Sequence, residues 1–401
     1  QAYDIDGEAL RTVFATLGSV FTSVDTWCTQ SKDLLLIATH DPVTVDIALL
    51  RQRFSEGAWR QALFNAWRVD SAEGFLSHFI ANDSLTRSVV RAGEMIATDD
   101  PDDLEYGCAG EVGRRKDFGV FEEIIAPARA KKWHRPGLVR GDVDWNRDDA
   151  NRPTIGALDK VNTAPAPGEG DLEKAHRELI ALFLGGRFAD MNSFLSKTPV
   201  EPINPFEIQM LAFAGATLGA EQALPMIERV RVIRPADADA IQGVWLARRT
   251  EWAEAADSLI RAFTAWRDDA WVMPALVSKS LDSAVAIARG SGQREIAQPL
   301  FDALREPFAV HLANGERRQD LLEVAKHTAE GPYNEQVRIA LDLFGPNLPW
   351  RSDVMDLRVR TFAQLNDPLL EEAKEMASEF LGEEPVRFRR GATPIDELKE
   401  P

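Results

Sequence analysis

The sequence predicts a mostly α-helical protein whose second half is an array of antiparallel helix pairs. Three observations indicate this fold class. Small and aliphatic residues recur at helical spacing throughout the second half, a proline ends one of the repeated helices, and equivalent positions recur at a regular interval. A short helix and two strands are predicted at the front of the chain.

The repeat is clearest in the middle of the second half. Ala223 and Ala255 are separated by about 32 residues, and Phe188 and Trp252 by twice that interval. Units of about 34 residues, each made of two helices, are typical of tetratricopeptide repeats, in which small residues let the helix backbones approach. The predicted packing residues are Leu211, Ala214, Ala223, Ile227 and Val230, then Gly243, Leu246, Trp252, Ala255, Leu259 and Ala262, and in looser units Gly292, Ala297, Phe301, Leu304, Phe362, Leu365, Ala373, Ala377 and Phe380.

The hydrophobic pattern at the front of the chain predicts one helix followed by a pair of strands. Residues 7–18 carry apolar side chains at helical spacing, residues 24–28 alternate as in a strand, and residues 34–38 form an aliphatic run. Residues 45–90 return to a helical pattern. The predicted core of that region is Leu49, Leu50, Phe54, Trp59, Leu63, Trp67, Phe75, Leu76, Phe79 and Ile80.

These patterns divide the chain into five predicted segments. Residues 1–40 would end an α/β domain, and residues 41–145 would form a helical extension that carries an acidic motif. Residues 146–171 are rich in Pro, Gly, Asn and Asp, a composition typical of a linker. Helical repeats would occupy residues 172–385, and a loose polar tail would follow at residues 386–401.

Composition excludes several function classes. The chain has 401 residues, of which 45% are hydrophobic and 27% charged, as in globular proteins with more than one domain. Its net charge of −18 argues against a general nucleic-acid binder, which needs a basic face. Two distant cysteines indicate no disulfide framework and favour a reducing, cytoplasmic setting. We expect no membrane segment in this chain, because its longest early aliphatic run is much shorter than a bilayer span.

The densest polar feature is the acidic cluster at residues 99–105. Several carboxylates in one short segment suit a cation or an amine substrate. Alternatively, the same residues form an Asp-rich turn that caps a helix or starts a strand. The six histidines show no metal-ligand spacing, so we expect neither a metal site nor a cofactor site in this chain. The cluster contains Asp99, Asp100, Asp102, Asp103 and Glu105.

Helical arrays of this kind bind protein or peptide partners on their concave surface. The negative charge of the chain favours a basic partner, although the sequence does not reveal which face is acidic. Five tryptophans at helical spacing are predicted to be core or groove-lining residues: Trp59, Trp67, Trp252, Trp266 and Trp271.

The segment 1–115 resembles the C-terminal end of the spermidine synthase-like family, and specifically large bacterial members that often carry membrane helices before that domain. Some members also continue into tetratricopeptide-like repeats. The matching segments are Gln1-Ala2-Tyr3-Asp4-Ile5-Asp6, the helix through Leu10 and Val13, Val20-Phe21, the strand Val24 to Trp27, Asp33-Leu34-Leu35-Leu36, Thr98-Asp99-Asp100 and Leu104-Glu105-Tyr106.

This resemblance implies that residues 1–40 are the last helix and the β-hairpin of a Rossmann-like, methyltransferase-type domain. Family enzymes transfer an aminopropyl group from decarboxylated S-adenosylmethionine to a diamine. The resemblance assigns substrate-binding roles to Gln1, Asp99, Asp100 and Glu105, and it assigns no catalytic residue. The glycine-rich nucleotide loop and the catalytic aspartate of the family would lie upstream of the matching region, so this chain alone is predicted to be inactive.

Two hypotheses follow from the sequence. In the first, the chain is the C-terminal part of a spermidine synthase-like transferase with a polyamine substrate, fused to a helical scaffold. Its setting would be cytoplasmic, or the cytoplasmic part of a membrane-attached protein. In the second, the chain is a non-catalytic scaffold whose tetratricopeptide-like repeats bind a protein partner, and its front is a decayed remnant.

Overall fold

The structure is a computed structural model that describes residues 7–29, 33–98, 126–158 and 165–383, except the side chains at positions 158 and 383. The chain divides into two units, residues 1–211 and residues 212–401. The first unit contains α1 (Gly7–Val20), β1 (Ser23–Cys28), β2 (Leu34–Thr39), β3 (Thr44–Asp46), α2 (Ile47–Ser55), α3 (Gly57–Trp67), α4 (Ala72–Leu76), β4 (Phe79–Ala81), α5 (Asp83–Ala92), β5 (Leu138–Arg140), α6 (Trp145–Leu158), α7 (Asp171–Leu184), α8 (Phe188–Lys197) and the start of α9 (Pro205–Leu218).

The second unit is built from helices in its described part. It contains the end of α9, α10 (Ala223–Ile233), α11 (Pro235–Arg248), α12 (Trp252–Ala265), α13 (Pro274–Ser291), α14 (Arg294–Arg305), α15 (Asn314–Ala325), α16 (Glu335–Asp342), α17 (Ser352–Leu365) and α18 (Leu370–Glu383), with short 3-10 turns at His311–Ala313 and Gly345–Asn347. The prediction of a mostly helical protein with a small sheet near its front is confirmed.

A three-stranded antiparallel sheet with the order β2-β1-β4 lies at the front of the chain. β1 and β2 pair along their whole length without a register shift, from Ser23 opposite Thr39 to Cys28 opposite Leu34. The predicted helix and hairpin are therefore confirmed. Among the described strands, none pairs with the outer edge of β2.

The region 45–90 differs from its helical prediction at one segment. Phe79–Ala81 is a fully buried strand that pairs with the edge of β1 opposite to β2. Its aromatic and aliphatic residues favour a buried strand. Two predicted core residues, Leu49 and Trp59, are about half exposed, since α2 and α3 each bury only one face. A parallel pairing of β3 with β5 was not predicted.

The predicted linker at residues 146–171 also differs from the structure, because α6 covers its first part. The polar residues of α6 suggested a loop, but Asp148 and Asn151 are buried beside Ala150 and Ile155. Asp148 pairs with an arginine, and Asn151 makes internal hydrogen bonds. Composition misled the prediction, since it cannot show whether a polar side chain has a buried partner.

Helix pairs stack in sequence through the second unit. α11 packs against both α12 and α13, α12 packs against α14, and α13 packs against α15. Alternate helices thus lie side by side in two layers. The starts of α10, α12 and α14, at Ala223, Trp252 and Arg294, are unequally spaced along the chain, so the regular interval of about 32 residues that the sequence predicts is not observed for these helices.

Glycine permits the closest helix contacts of this unit. A Cβ atom at Gly243 would lie 2.6 Å from the Leu259 Cδ2 atom, which confirms the predicted contact between α11 and α12. Gly292, predicted as a packing residue, instead ends α13 with a φ of 61°, a left-handed cap that favours glycine. The close contact is made by Gly290, where a Cβ atom would lie 2.9 Å from the Trp252 ring.

Candidate functional site

The residues predicted to bind substrate lie outside the described part of the chain: Gln1, Asp99, Asp100 and Glu105. The segment that leads into the acidic motif is described and lies along α1. Glu94 pairs with Arg11 at 3.3 Å, and the backbone N–H of Ala97 donates to the Thr16 Oγ1 atom at 2.8 Å. Residues 94–97 therefore lie beside α1.

A cleft of about 130 Å³ opens between α1, the start of β1 and α5. Gly18 of α1 makes this helix contact possible, since a Cβ atom there would lie 2.6 Å from the Thr86 Cγ2 atom and 2.8 Å from the Val90 Cγ2 atom. Phe21 and Val24 extend the apolar wall toward β1. The cleft is thus bounded largely by regular secondary structure.

Three charged residues of α5 line the same cleft: Asp83, Arg87 and Arg91. Asp83 forms an ion pair with Arg87 one helical turn away. Arg91 is exposed, and within the described part of the chain it has no hydrogen-bond or ion-pair partner. The cleft therefore carries one positive charge that no described carboxylate neutralises.

Asp25 of β1 is buried close to this cleft but not in it. Successive residues of a strand point to opposite faces of the sheet, so Asp25 lies on the face opposite to that of the cleft-lining Val24. Burial, and after it the nearby charge of Asp83, raises the pKa of Asp25 to about 6. The sheet thus separates this carboxyl from the apolar wall of the cleft.

A separate network of buried charges is centred on Asp149. Its carboxylate accepts hydrogen bonds from Arg129 Nη1 at 2.6 Å, Arg135 Nη2 at 2.9 Å and Arg152 Nε at 3.2 Å, and His134 Nε2 lies 3.5 Å away. Burial alone would raise the pKa of Asp149. The nearby His134 ring and the charges of Arg152 and Arg129 outweigh that effect, so the pKa of Asp149 lies well below its usual range.

Arg152 connects this network to the sheet. Its guanidinium donates to the carbonyl oxygens of Ser77, Phe79 and His134 at 3.2, 2.8 and 3.0 Å, and to the Asp148 Oδ2 atom at 2.8 Å. One arginine therefore holds together α6, the start of β4 and the segment around His134.

Two further carboxylates of the network are almost completely buried. Burial raises the pKa of Asp148, although the Arg152 charge opposes this shift. Burial likewise raises the pKa of Glu173 in α7, which is paired with Arg129. Because these groups are closed to solvent and paired with arginines, they position helices and do not present charges to a substrate.

A second buried polar chain links α6, α7 and the start of α9. The His176 Nδ1 and Glu207 Oε1 atoms are 2.8 Å apart. The Asn204 amide donates at 3.0 Å to both the Asn151 Oδ1 and the Thr154 Oγ1 atoms. The first part of the predicted linker is thus packed into the first unit.

An acidic face lies on the second unit, where α13 and α15 are neighbours. Burial, and after it the charges of Glu316, Asp282 and Glu323, raises the pKa of Asp320 to about 7. Ser278 donates a hydrogen bond to Glu316 across the two helices. The structure therefore locates an acidic surface that the sequence could not place.

Substituting Asp320 by asparagine is expected to stabilise the protein at pH 8 by about 1 kcal/mol, with little gain at pH 4. The folded pKa lies above the unfolded value of 3.8. Stability is therefore greatest below the unfolded pKa and falls as the pH rises through about 7, where the folded carboxyl ionises among like charges. Urea unfolding at both pH values measures the difference, with Asp257→Asn on α12 as an exposed control. An equal gain in the free energy of unfolding at both pH values would contradict this prediction.

The sequence missed the groups that the structure brings together at the cleft. Gly18 gave a weak signal, because a glycine near the end of a predicted helix is usually explained as a helix stop. Arg91 gave no signal, since an arginine on an amphipathic helix is ordinary. Among the described residues, no group of three or more His, Cys, Asp or Glu side chains could hold a metal ion.

Comparison of the chain with protein-family models, curated proteins and solved structures finds no match. Among its described helices, none is both long enough and apolar enough to cross a bilayer.

Proposed function

We propose that this chain is the C-terminal part of a spermidine synthase-like transferase fused to a helical repeat scaffold. The observation that carries the proposal is the unpaired outer edge of β2 in the described sheet. Leu35 and Ile37 on this strand are 48% and 38% exposed, and residues 34–39 contain no charge and no proline. Soluble proteins usually protect such an edge, so a further strand is expected to cover it.

The proposed arrangement fits the reaction of the family. Aminopropyl transfer requires a neutral amine held in line with the carbon next to a sulfonium, and an acidic group that orients the amine. In the described residues no glycine-rich loop connects a strand to a helix, so these residues do not fit the nucleotide part of decarboxylated S-adenosylmethionine. We assign the nucleotide site to an upstream domain and the diamine contacts to the acidic motif.

The test is calorimetry with decarboxylated S-adenosylmethionine on a polypeptide extended upstream in the same reading frame. Binding by the extended polypeptide, together with no turnover by the present chain, is the expected result. Turnover by this chain alone, or an upstream sequence without a nucleotide domain, would reject the proposal. The control is the extended polypeptide with its upstream glycine-rich loop replaced.

A second candidate function is a non-catalytic scaffold that binds a protein partner. The two-layer stacking of α11 to α15 favours it, because such stacking is the arrangement of tetratricopeptide-like arrays. A cytoplasmic setting stays a prediction from cysteine usage. Cross-linking of the intact chain in cells tests this function. Partners joined through residues 235–325 would support it, and partners joined only through residues 7–98 would contradict it.

A further inference from the structure

The cleft between α1 and α5 combines an apolar wall with one positive charge. Phe21, Val24 and Val90 supply the apolar part of the lining. On the charged side, Asp83 and Arg87 neutralise each other as an ion pair. Arg91 keeps a guanidinium that has no partner in the described part of the chain. A ligand that complements this lining needs an apolar body and one negative group.

The shape of the cleft limits the size of that body. The close approach of α1 and α5 at Gly18 closes one side, since even a Cβ atom would clash with Thr86 and Val90 there. The cleft volume of about 130 Å³ is well below the roughly 300 Å³ of pockets for drug-sized molecules. A short aliphatic chain therefore matches the volume of the cleft and its apolar wall.

We propose that this cleft binds a short aliphatic monocarboxylate, with its carboxylate at Arg91 and its hydrocarbon chain on Val24 and Val90. A guanidinium binds a carboxylate through two parallel hydrogen bonds, and this geometry favours a carboxylate over a spherical anion. Transfer of the hydrocarbon chain from water to the apolar wall contributes a favourable free energy of binding. The inference does not depend on the proposed transferase function.

The experiment measures binding of butanoate to the intact chain by saturation-transfer NMR, with acetate and butylamine as matched probes. Acetate keeps the charge and lacks the hydrocarbon chain, and butylamine keeps the chain and reverses the charge. Butanoate is expected to bind about tenfold more tightly than either probe. No detectable binding of butanoate at about 10 mM would overturn the proposal. Equal binding of acetate and butanoate would also overturn it, because a surface ion pair would explain both.

Two substitutions separate the charged part of the cleft from its apolar wall. Arg91→Gln is expected to lower the affinity for butanoate by about tenfold and to leave the affinity for butylamine unchanged. Val90→Asn is expected to lower the affinity for butanoate and to leave the affinity for acetate unchanged. Both positions are exposed on α5, and circular dichroism of each variant checks that the fold is kept. Arg60→Gln on α3 is the matched control, and unchanged butanoate affinity in both cleft variants would refute the assignment.

Salt dependence gives an independent readout of the charge contact. The affinity for butanoate is expected to fall about threefold between 20 mM and 500 mM sodium chloride, because salt screens the attraction between the carboxylate and the exposed Arg91. The Arg91→Gln variant is expected to lose most of this dependence. Retention of the wild-type salt profile by that variant would place the carboxylate elsewhere.

Discussion

Substitution of Arg152 by methionine is expected to destabilise the first unit by about 3–5 kcal/mol, the cost of leaving buried carboxylates without their partner. The side chain donates to three backbone carbonyls and to Asp148, and it also contacts Asp149. Methionine keeps much of the length and loses every one of these hydrogen bonds. Urea unfolding followed by tryptophan fluorescence measures the change.

Two controls test this physical reason. Arg187→Met removes an exposed ion pair with Asp190 and is expected to change stability by no more than about 0.5 kcal/mol. Adding Asp148→Asn to Arg152→Met is expected to recover part of the loss, because the carboxylate that Arg152 leaves without a partner is then replaced by a neutral amide. A loss of less than about 1 kcal/mol in Arg152→Met would show that the network is dispensable.

Substitution of Gly243 by valine is expected to destabilise the second unit by about 3 kcal/mol, because α11 and α12 cannot separate without losing their shared core. A Cβ atom at Gly243 would lie 2.6 Å from Leu259 Cδ2 and 3.2 Å from the backbone oxygen of Ala255. Leu259 is fully buried and cannot swing into solvent. Thermal unfolding followed by circular dichroism measures the loss.

Gly315→Val in α15 is the matched control. This glycine is also helical, but apart from its chain neighbours and the backbone of its own helix no described atom lies within 4 Å of the Cβ position. Because glycine is a poorer helix former than valine, the control is expected to be neutral or slightly stabilising. Equal losses at both positions would mean that a general effect of valine in these helices, and not the close helix contact, explains the result at Gly243.

The patterns that the sequence predicted correctly are periodic ones. The aliphatic run at residues 34–38 and the alternation at residues 24–28 gave β2 and β1, and small residues such as Gly243 and Ala255 marked a real helix contact. The predictions that failed concern residues whose environment is non-local. Leu49 and Trp59 are about half exposed despite their apolar character, because burial depends on whether another element covers a side chain.

Local spacing and composition were enough to predict the helical character of the chain, its front hairpin and its negative charge. Which polar groups are buried, and which of them have partners, depends on contacts between residues that are distant in sequence. Gly18 and Arg91 are far apart along the chain, and the packing of α1 against α5 places both at one cleft. Pairing of charges depends on distance in space, which residue order does not fix.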